Sequence, residues 1–404
     1  MRTSAIPPQQ ALARLRRSWL CFFLLSLLAL WIGWFFLAES WGNAFAWRWL
    51  ALASPGLIYL SRVLWLGLEN NRRPGERELL PRLGLANITT LLRGVLISFL
   101  GGFLFLPPPA GVAGWIPGAL YTLAISADYL DGYLARICNQ ATRLGEILDM
   151  SFDGLGILVA ALLAIQYGQV PVWYLGVALA RYVFLVGIWM RRRLNLAIYD
   201  LPYSPTRRAL AGAQMGFLAA ALLPIFPASG THLAAFFFAA PFLAGFFKDW
   251  LLTIGRLPAA RPSLRSAWER LFRWLPLPLR LLAPAFYLLS LFSTQFIRIS
   301  SGTLTLSSFS SVGSSPAGLL LGMNLLVLLL IALGAAGRLA ALAGLILAGL
   351  SSYQNHFSPE QAGLIAAFSL LFFLGTGPYS IWTPETWLMV HRAGETKTAA
   401  KGKP

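Results

Sequence analysis

The sequence predicts an all-α, polytopic integral membrane protein, and three observations predict it. Hydrophobic residues make up 57% of the chain and charged residues only 12%, about half the charged share of an ordinary soluble domain. The apolar residues come in blocks of about 20, the length a helix needs to cross a bilayer. Lys and Arg outnumber Asp and Glu by 32 to 15, for a net charge of +17, and they gather in alternate links between the blocks. That is the distribution of cytoplasmic loops facing an anionic leaflet. The charge therefore calls for membrane lipids as partners and for no nucleic acid.

The blocks give about twelve spans. Two come first, at 19–38 and 47–67, behind Arg14, Arg16 and Arg17. The first is long and lacks a small-residue cleavage pattern, so it reads as a retained anchor. The polar stretch ENNRRPGERELLPRLG (69–84) reads as an interfacial segment with Leu79, Leu80 and Leu83 facing lipid. Six spans follow at 87–107, 114–136, 149–167, 172–190, 207–227 and 232–254. A basic, Pro-containing linker covers 255–280, and four further spans are expected at 281–297, 316–336, 339–353 and 361–380. The Ser/Gly/Thr-rich run 299–318 reads as an exposed, non-cytoplasmic loop.

With the N-terminus in the cytoplasm, the links at 70–82, 136–148, 191–208, 256–280 and 338 fall inside and hold most of the arginines. The opposite links contain no Lys or Arg, so the topology is internally consistent. Cys21 and Cys138 stand far apart, and His232, His356 and His391 are scattered. Neither a disulfide framework nor a thiol or imidazole metal site is expected.

Four aspartates fall within SADYLDGYLARICNQATRLGEILDMSFDGLG (126–156), in a chain with only 15 acidic residues: Asp128, Asp131, Asp149 and Asp153. Acids within spans are functional candidates because an ionised carboxylate in hydrocarbon is costly. Asp128 and Asp131 are three apart and Asp149 and Asp153 four apart, so each pair shares a helix face. The short link 137–148 makes the two helices antiparallel neighbours, and the four carboxylates can converge. They repel unless a cation sits among them. Mg²⁺ or Mn²⁺ suits an all-oxygen set and habitually also contacts substrate phosphates. Gly132 and Gly145 leave room for a backbone or a nucleotide to come close, and Arg136 can answer a carboxylate or phosphate. The bland alternative is that the acids cap helices or pair with Arg136 and Arg143.

Asp128-x2-Asp131-Gly132-x2-Ala135-Arg136-x8-Gly145-x3-Asp149-x3-Asp153 resembles, at every fixed position, the signature of the CDP-alcohol phosphotransferases, membrane enzymes of phospholipid synthesis. The preceding Asn87-x2-Thr90-x2-Arg93 and the six surrounding spans extend the resemblance over residues 76–256. It implies a six-helix core, a two-span extension at 1–75 and an added multi-span block at 257–404. It implies that Asp128, Asp131, Asp149 and Asp153 hold two divalent ions, with Asp153 also the general base. Gly132, Ala135 and Gly145 would make room for the cytidine nucleotide near Asp128 and Asp131. The implied donor is CDP-diacylglycerol or another CDP-alcohol, the co-substrate an alcohol acceptor, and the product CMP. The resemblance also implies a homodimer, in a prokaryotic cytoplasmic membrane with the active site facing the cytoplasm.

Arg181 lies inside an apolar span and needs an anionic partner; it matches a position where family members carry an arginine near the acceptor's phosphate. With Arg191, Arg207 and Arg208 it favours a phosphorylated polyol as acceptor, such as glycerol phosphate or inositol phosphate. Family members acting on glycerol 3-phosphate carry Lys-x-Lys-Thr-x2-Gln here; this chain keeps a basic residue at Arg208 and the glutamine at Gln214 but has Leu210 and Ala211 in place of the second lysine and the threonine. The C-terminal FFLGTGPYSIWTPE (372–385) resembles DoxX-type membrane proteins, and an added bundle that packs on the core is the plainer reading. Two other classes stay open: a scaffold or transporter that keeps the fold without catalysis, and a metal-dependent lipid-phosphate hydrolase.

Overall fold

A computed structural model describes residues 7–138, 140–201, 205–256, 274–285, 316–354, 359–375 and 377–382. Most of the 255–280 linker, much of the span expected at 281–297, the 299–315 run and the tail lie outside the described residues. Within them the chain is helical, with a single isolated bridge between Ala335 and Trp382. The helices are α1 (Pro8–Trp41), α2 (Asn43–Gly67), α3 (Leu85–Gly101), α4 (Ile116–Ile137), α5 (Arg143–Gln166), α6 (Leu175–Arg193), α7 (Pro205–Ala221) and α8 (Ala228–Thr253). Three more follow: α9 (Pro316–Leu333), α10 (Gly337–Gln354) and α11 (Pro359–Leu374).

Five described helices are long and apolar enough to cross a membrane, and four shorter apolar helices accompany them. α1 has 34 residues, roughly 50 Å at 1.5 Å per residue, well beyond a hydrocarbon core of about 30 Å. Its first turns, with Arg14, Arg16 and Arg17, therefore project past the apolar block. There the Arg16 guanidinium lies 5.4 Å from the Trp65 ring centroid, a contact suited to a headgroup depth.

By packing, the described residues form two compact units, one of 7–189 and 210–224 and the other of 190–209 and 225–382. In the first, α1 packs on α2, α2 on α3, and α3 on both α4 and α5. Tryptophan is used at these crossings for its one polar atom: Trp49 is buried and its Nε1 donates to the Phe99 carbonyl at 3.0 Å. Trp19 Nε1 does the same for Ser61 at 3.0 Å. The buried faces of α3 and α5 supply Leu91, Val95, Ile97, Leu100, Leu144, Leu148 and Phe152. This apolar packing fixes the register of the polar residues at the same helix ends.

The 69–84 stretch is one turn of 3-10 helix (Leu68–Asn70) followed by irregular chain. Leu79, Leu80 and Leu83 are half-buried. Asn71 is fully buried, and its Nδ2 donates to the carbonyls of Leu80 and Arg82 at 2.9 and 3.0 Å. Those bonds fold the segment back on itself.

In the second unit α11 packs on α8 and α10, around Ile331, Ala341, Leu364, Phe368 and Leu371. Phe238 of α8 lies 5.0 Å from the Phe373 ring. The 377–382 run is held by Arg280, which donates to Ser380 Oγ and the Tyr379 carbonyl, each at 3.0 Å.

Candidate active site

Three helices carry the site, and α3 organises it. Asn87, Thr90 and Arg93 recur every three residues along α3, forming a polar stripe on an otherwise apolar helix. All three are buried. Each holds a different part of the α4 and α5 ends.

Asn87 sets the start of α5. Its Oδ1 accepts from the Thr142 hydroxyl at 3.1 Å, and Thr142 Oγ1 in turn accepts from the Gly145 amide at 3.0 Å, capping the helix. Such a cap contributes about 1 kcal/mol. Asn87 Nδ2 donates to Asn71 Oδ1 at 3.1 Å. The Arg143 amide donates to the Arg72 carbonyl at 2.9 Å, and Gln140 Oε1 accepts from the Leu85 amide at 2.8 Å. The loops before α3 and between α4 and α5 are thus stitched together beside the site. Gly145 is required here by close approach: a Cβ at that position would come within 2.7 Å of Asn87 Oδ1. The α3 side chain occupies the space the missing side chain leaves.

Thr90 holds α4, its hydroxyl 2.8 Å from Asp131 Oδ2. Arg93 holds the rest. Its guanidinium contacts the Asp128 carboxylate, lies 2.7 Å from that of Asp149 and 3.3 Å from that of Asp153. All four aspartates of the signature therefore meet on one α3 stripe. An arginine at this depth would be costly alone; surrounded by carboxylates, it and they offset each other's desolvation.

Asp128, Asp131 and Asp149 each offer an oxygen within 4.8 Å of the others. The donors are all hard oxygens, the type that Mg²⁺ or Mn²⁺ takes. The residues present fit such an ion.

A cleft of about 500 Å³ opens beside them, within the range of about 300–1,000 Å³ typical of small-molecule sites. Gly132, Ala135 and Gly145 line it, with Asp131, Asp149 and the Asn87–Thr90 stripe. A second, smaller cavity is lined by Arg93, Asp128 and Asp153 together with apolar Ile97, Ile125 and Met215. The carboxylates are thus divided: Asp131 and Asp149 face the large cleft, Asp128 and Asp153 the small one.

Arg181 of α6 is only half-buried. Its Nη1 lies 3.9 Å from Asp153 Oδ2 and its Nη2 donates to the Met150 carbonyl at 3.2 Å. Arg191, Arg207 and Arg208 belong to the second unit. There Arg191 Nη2 donates to the Ala197 carbonyl at 2.6 Å, Arg207 lies 3.5 Å from Asp249, and Arg208 is exposed. The Arg136 side chain lies outside the described residues. Gln214, the glutamine kept from the family's Lys-x-Lys-Thr-x2-Gln run, is fully buried, and its Oε1 accepts from the Tyr174 hydroxyl. The sequence reading missed two things: that Arg93 is the shared partner of three aspartates, and that Asn87 fills the space at Gly145. The three-residue spacing of polar groups along α3 was the available signal.

Comparison with known proteins matches residues 83–255 to the family model "CDP-alcohol phosphatidyltransferase". Among curated relatives, the chain is 33% identical over 81 residues to a CDP-diacylglycerol–glycerol-3-phosphate 3-phosphatidyltransferase of Bacillus subtilis, covering 20% of this chain and 40% of that protein. It is 44% identical over 84 residues to a cardiolipin synthase (CMP-forming) of Streptomyces coelicolor, covering 19% and 37%. A second glycerol-3-phosphate 3-phosphatidyltransferase, from Cereibacter sphaeroides, is 32% identical over 112 residues, covering 26% and 48%. The chain spans less than half the length of these three relatives. No solved structure matches. Residues 83–255 of this chain form a domain of the CDP-alcohol phosphatidyltransferase family.

Proposed function

We propose that the protein transfers a phosphatidyl group from a CDP-alcohol, CDP-diacylglycerol, to an alcohol acceptor with release of CMP. The observation that carries this reading is the convergence of Asp128, Asp131, Asp149 and Asp153 on the α3 stripe beside a cleft lined by Gly132, Ala135 and Gly145. The small residues leave a wall flat enough for a nucleotide, and the carboxylates sit at its diphosphate end.

In the reaction the acceptor oxygen attacks the lipid-linked phosphorus. A new P–O bond forms to the acceptor, and the P–O bond to CMP breaks, with the electron pair leaving on CMP. Asp153 takes the hydroxyl proton, from the small cavity it shares with Asp128 and Arg93. Asp128, Asp131, Asp149 and Asp153 would hold two Mg²⁺ or Mn²⁺ ions, which supply neutralisation of the diphosphate and of the leaving CMP when bound. Thr90 keeps Asp131 turned toward the large cleft.

Arg181 supports a phosphorylated polyol as acceptor. Its guanidinium lies beside Asp153, so an acceptor phosphate held there would set a neighbouring hydroxyl at the base. Relatives named for glycerol 3-phosphate agree with that class. The active site faces the cytoplasm, where the soluble nucleotide and acceptor are, while the lipid chains stay in the bilayer. The domain works as a homodimer, and the two N-terminal spans and residues 257–404 are additions to it.

The test is purified protein with Mg²⁺ or Mn²⁺, CDP-diacylglycerol and a panel of glycerol 3-phosphate, inositol phosphate, phosphatidylglycerol and serine. CMP and the lipid product should appear together with a phosphorylated acceptor. Water as the sole effective acceptor, with no need for cytidine, would instead indicate a lipid-phosphate hydrolase.

A further inference from the structure

Arg93 lies outside the eight-residue signature, yet it makes more contacts to the signature carboxylates than any other described side chain. Its side chain is 4% exposed. Nη1 contacts Asp128 and lies 3.3 Å from Asp153; Nη2 donates to the Asp149 carboxylate at 2.7 Å and to its carbonyl at 3.4 Å. Nε is buried with no hydrogen-bond partner among the described residues. The guanidinium is therefore committed to the carboxylates by its two terminal nitrogens.

Two of those three carboxylates, Asp128 and Asp149, also belong to the oxygen set close enough to ligate an ion. A divalent ion and the guanidinium must share them. Both are cations, and at this separation in a low-dielectric site each weakens the hold of the other. Removing Arg93 has two opposite consequences. The carboxylates lose the fixed charge that keeps them together, and an incoming ion loses a competitor.

We propose that Arg93 is a positioning residue that serves as the resident counter-cation of the carboxylate site. It holds Asp128, Asp149 and Asp153 within reach of one another without a divalent ion, and it sets how tightly that ion binds. The inference rests on the metal-binding reading above. It differs from ordinary structural packing, which would stabilise the protein equally whether or not an ion is present.

The test uses the full-length protein in detergent micelles, with Arg93→Gln and Arg93→Lys, thermal melting in EDTA and in Mn²⁺, and Mn²⁺ binding by electron paramagnetic resonance. Arg93→Gln should melt lower than wild type in EDTA and regain most of the loss in Mn²⁺. Its Mn²⁺ affinity should rise at least tenfold, and Arg93→Lys should resemble wild type in all three readouts. Equal loss of melting temperature with and without Mn²⁺, or an unchanged affinity, overturns the proposal. If Arg93→Gln does not fold in EDTA, adding Asp153→Asn should restore folding by removing one uncompensated charge; failure to restore it overturns the proposal as well. Wild-type protein that binds no Mn²⁺ would sink the metal reading instead, and the comparison of Gln with Lys in EDTA would still decide the role of Arg93.

Discussion

The Arg93 guanidinium of α3 donates to the Asp149 carboxylate of α5 at 2.7 Å, and the same group reaches Asp128 of α4. One side chain on the first core helix thus sets the spacing of the two helices that carry the signature. The geometry of the carboxylate cluster therefore depends on α3 as much as on the aspartates.

Asp153 is the carboxylate nearest to Arg181 and one of two facing the small cavity. Asp153→Asn keeps the shape and removes the proton acceptor. Its kcat should fall about 10²–10⁴-fold with the KM for the CDP-lipid nearly unchanged. Steady-state kinetics on both substrates checks it; a normal kcat would remove Asp153 from the base role.

Gly145→Ala would drive a methyl group to within 2.7 Å of Asn87 Oδ1. The crowding should cost about 1–3 kcal/mol, seen as a lower melting temperature in detergent. Adding Asn87→Ala should recover part of that loss, because the two positions share one space. If the double variant is simply additive, the α3–α5 contact is not what requires glycine.

Gln214→Leu leaves the buried Tyr174 hydroxyl without its acceptor. We expect a loss of about 1–3 kcal/mol in stability and no change in acceptor preference across the panel. A changed preference at full stability would assign Gln214 to the acceptor site instead.

Arg181→Gln removes the cation beside Asp153. The KM for a phosphorylated acceptor should rise about 10–100-fold, the loss of a charge-assisted hydrogen bond, while the KM for the CDP-lipid holds. An equal rise for an uncharged acceptor would show that Arg181 acts on Asp153 rather than on phosphate.

The helices and the signature were legible because both are local. Apolar block length marks a span, and fixed spacing places Asp128 with Asp131 and Asp149 with Asp153. What was not legible depends on contacts between helices distant in sequence. Arg93 stands 35 residues before Asp128, so its place in the Asn87–Thr90–Arg93 spacing is legible but the carboxylates it meets are not; Arg136 and Arg143 looked closer. Gly145 read as space for a nucleotide, and it also lines the cleft, but its missing side chain admits Asn87. Gln214 was legible only as a kept position of the family's run; its burial against Tyr174 depends on a contact 40 residues away in sequence.

The account is tested most directly by CMP stoichiometry. Purified protein is given CDP-diacylglycerol and the preferred phosphorylated acceptor with Mn²⁺, and CMP and phosphatidyl product are counted together. The account predicts one CMP per lipid product, no turnover in EDTA, and loss of both products in Asp153→Asn. CMP release that persists in Asp153→Asn or in EDTA, or no CMP from any acceptor by a protein that still binds Mn²⁺ and the CDP-lipid, would contradict it.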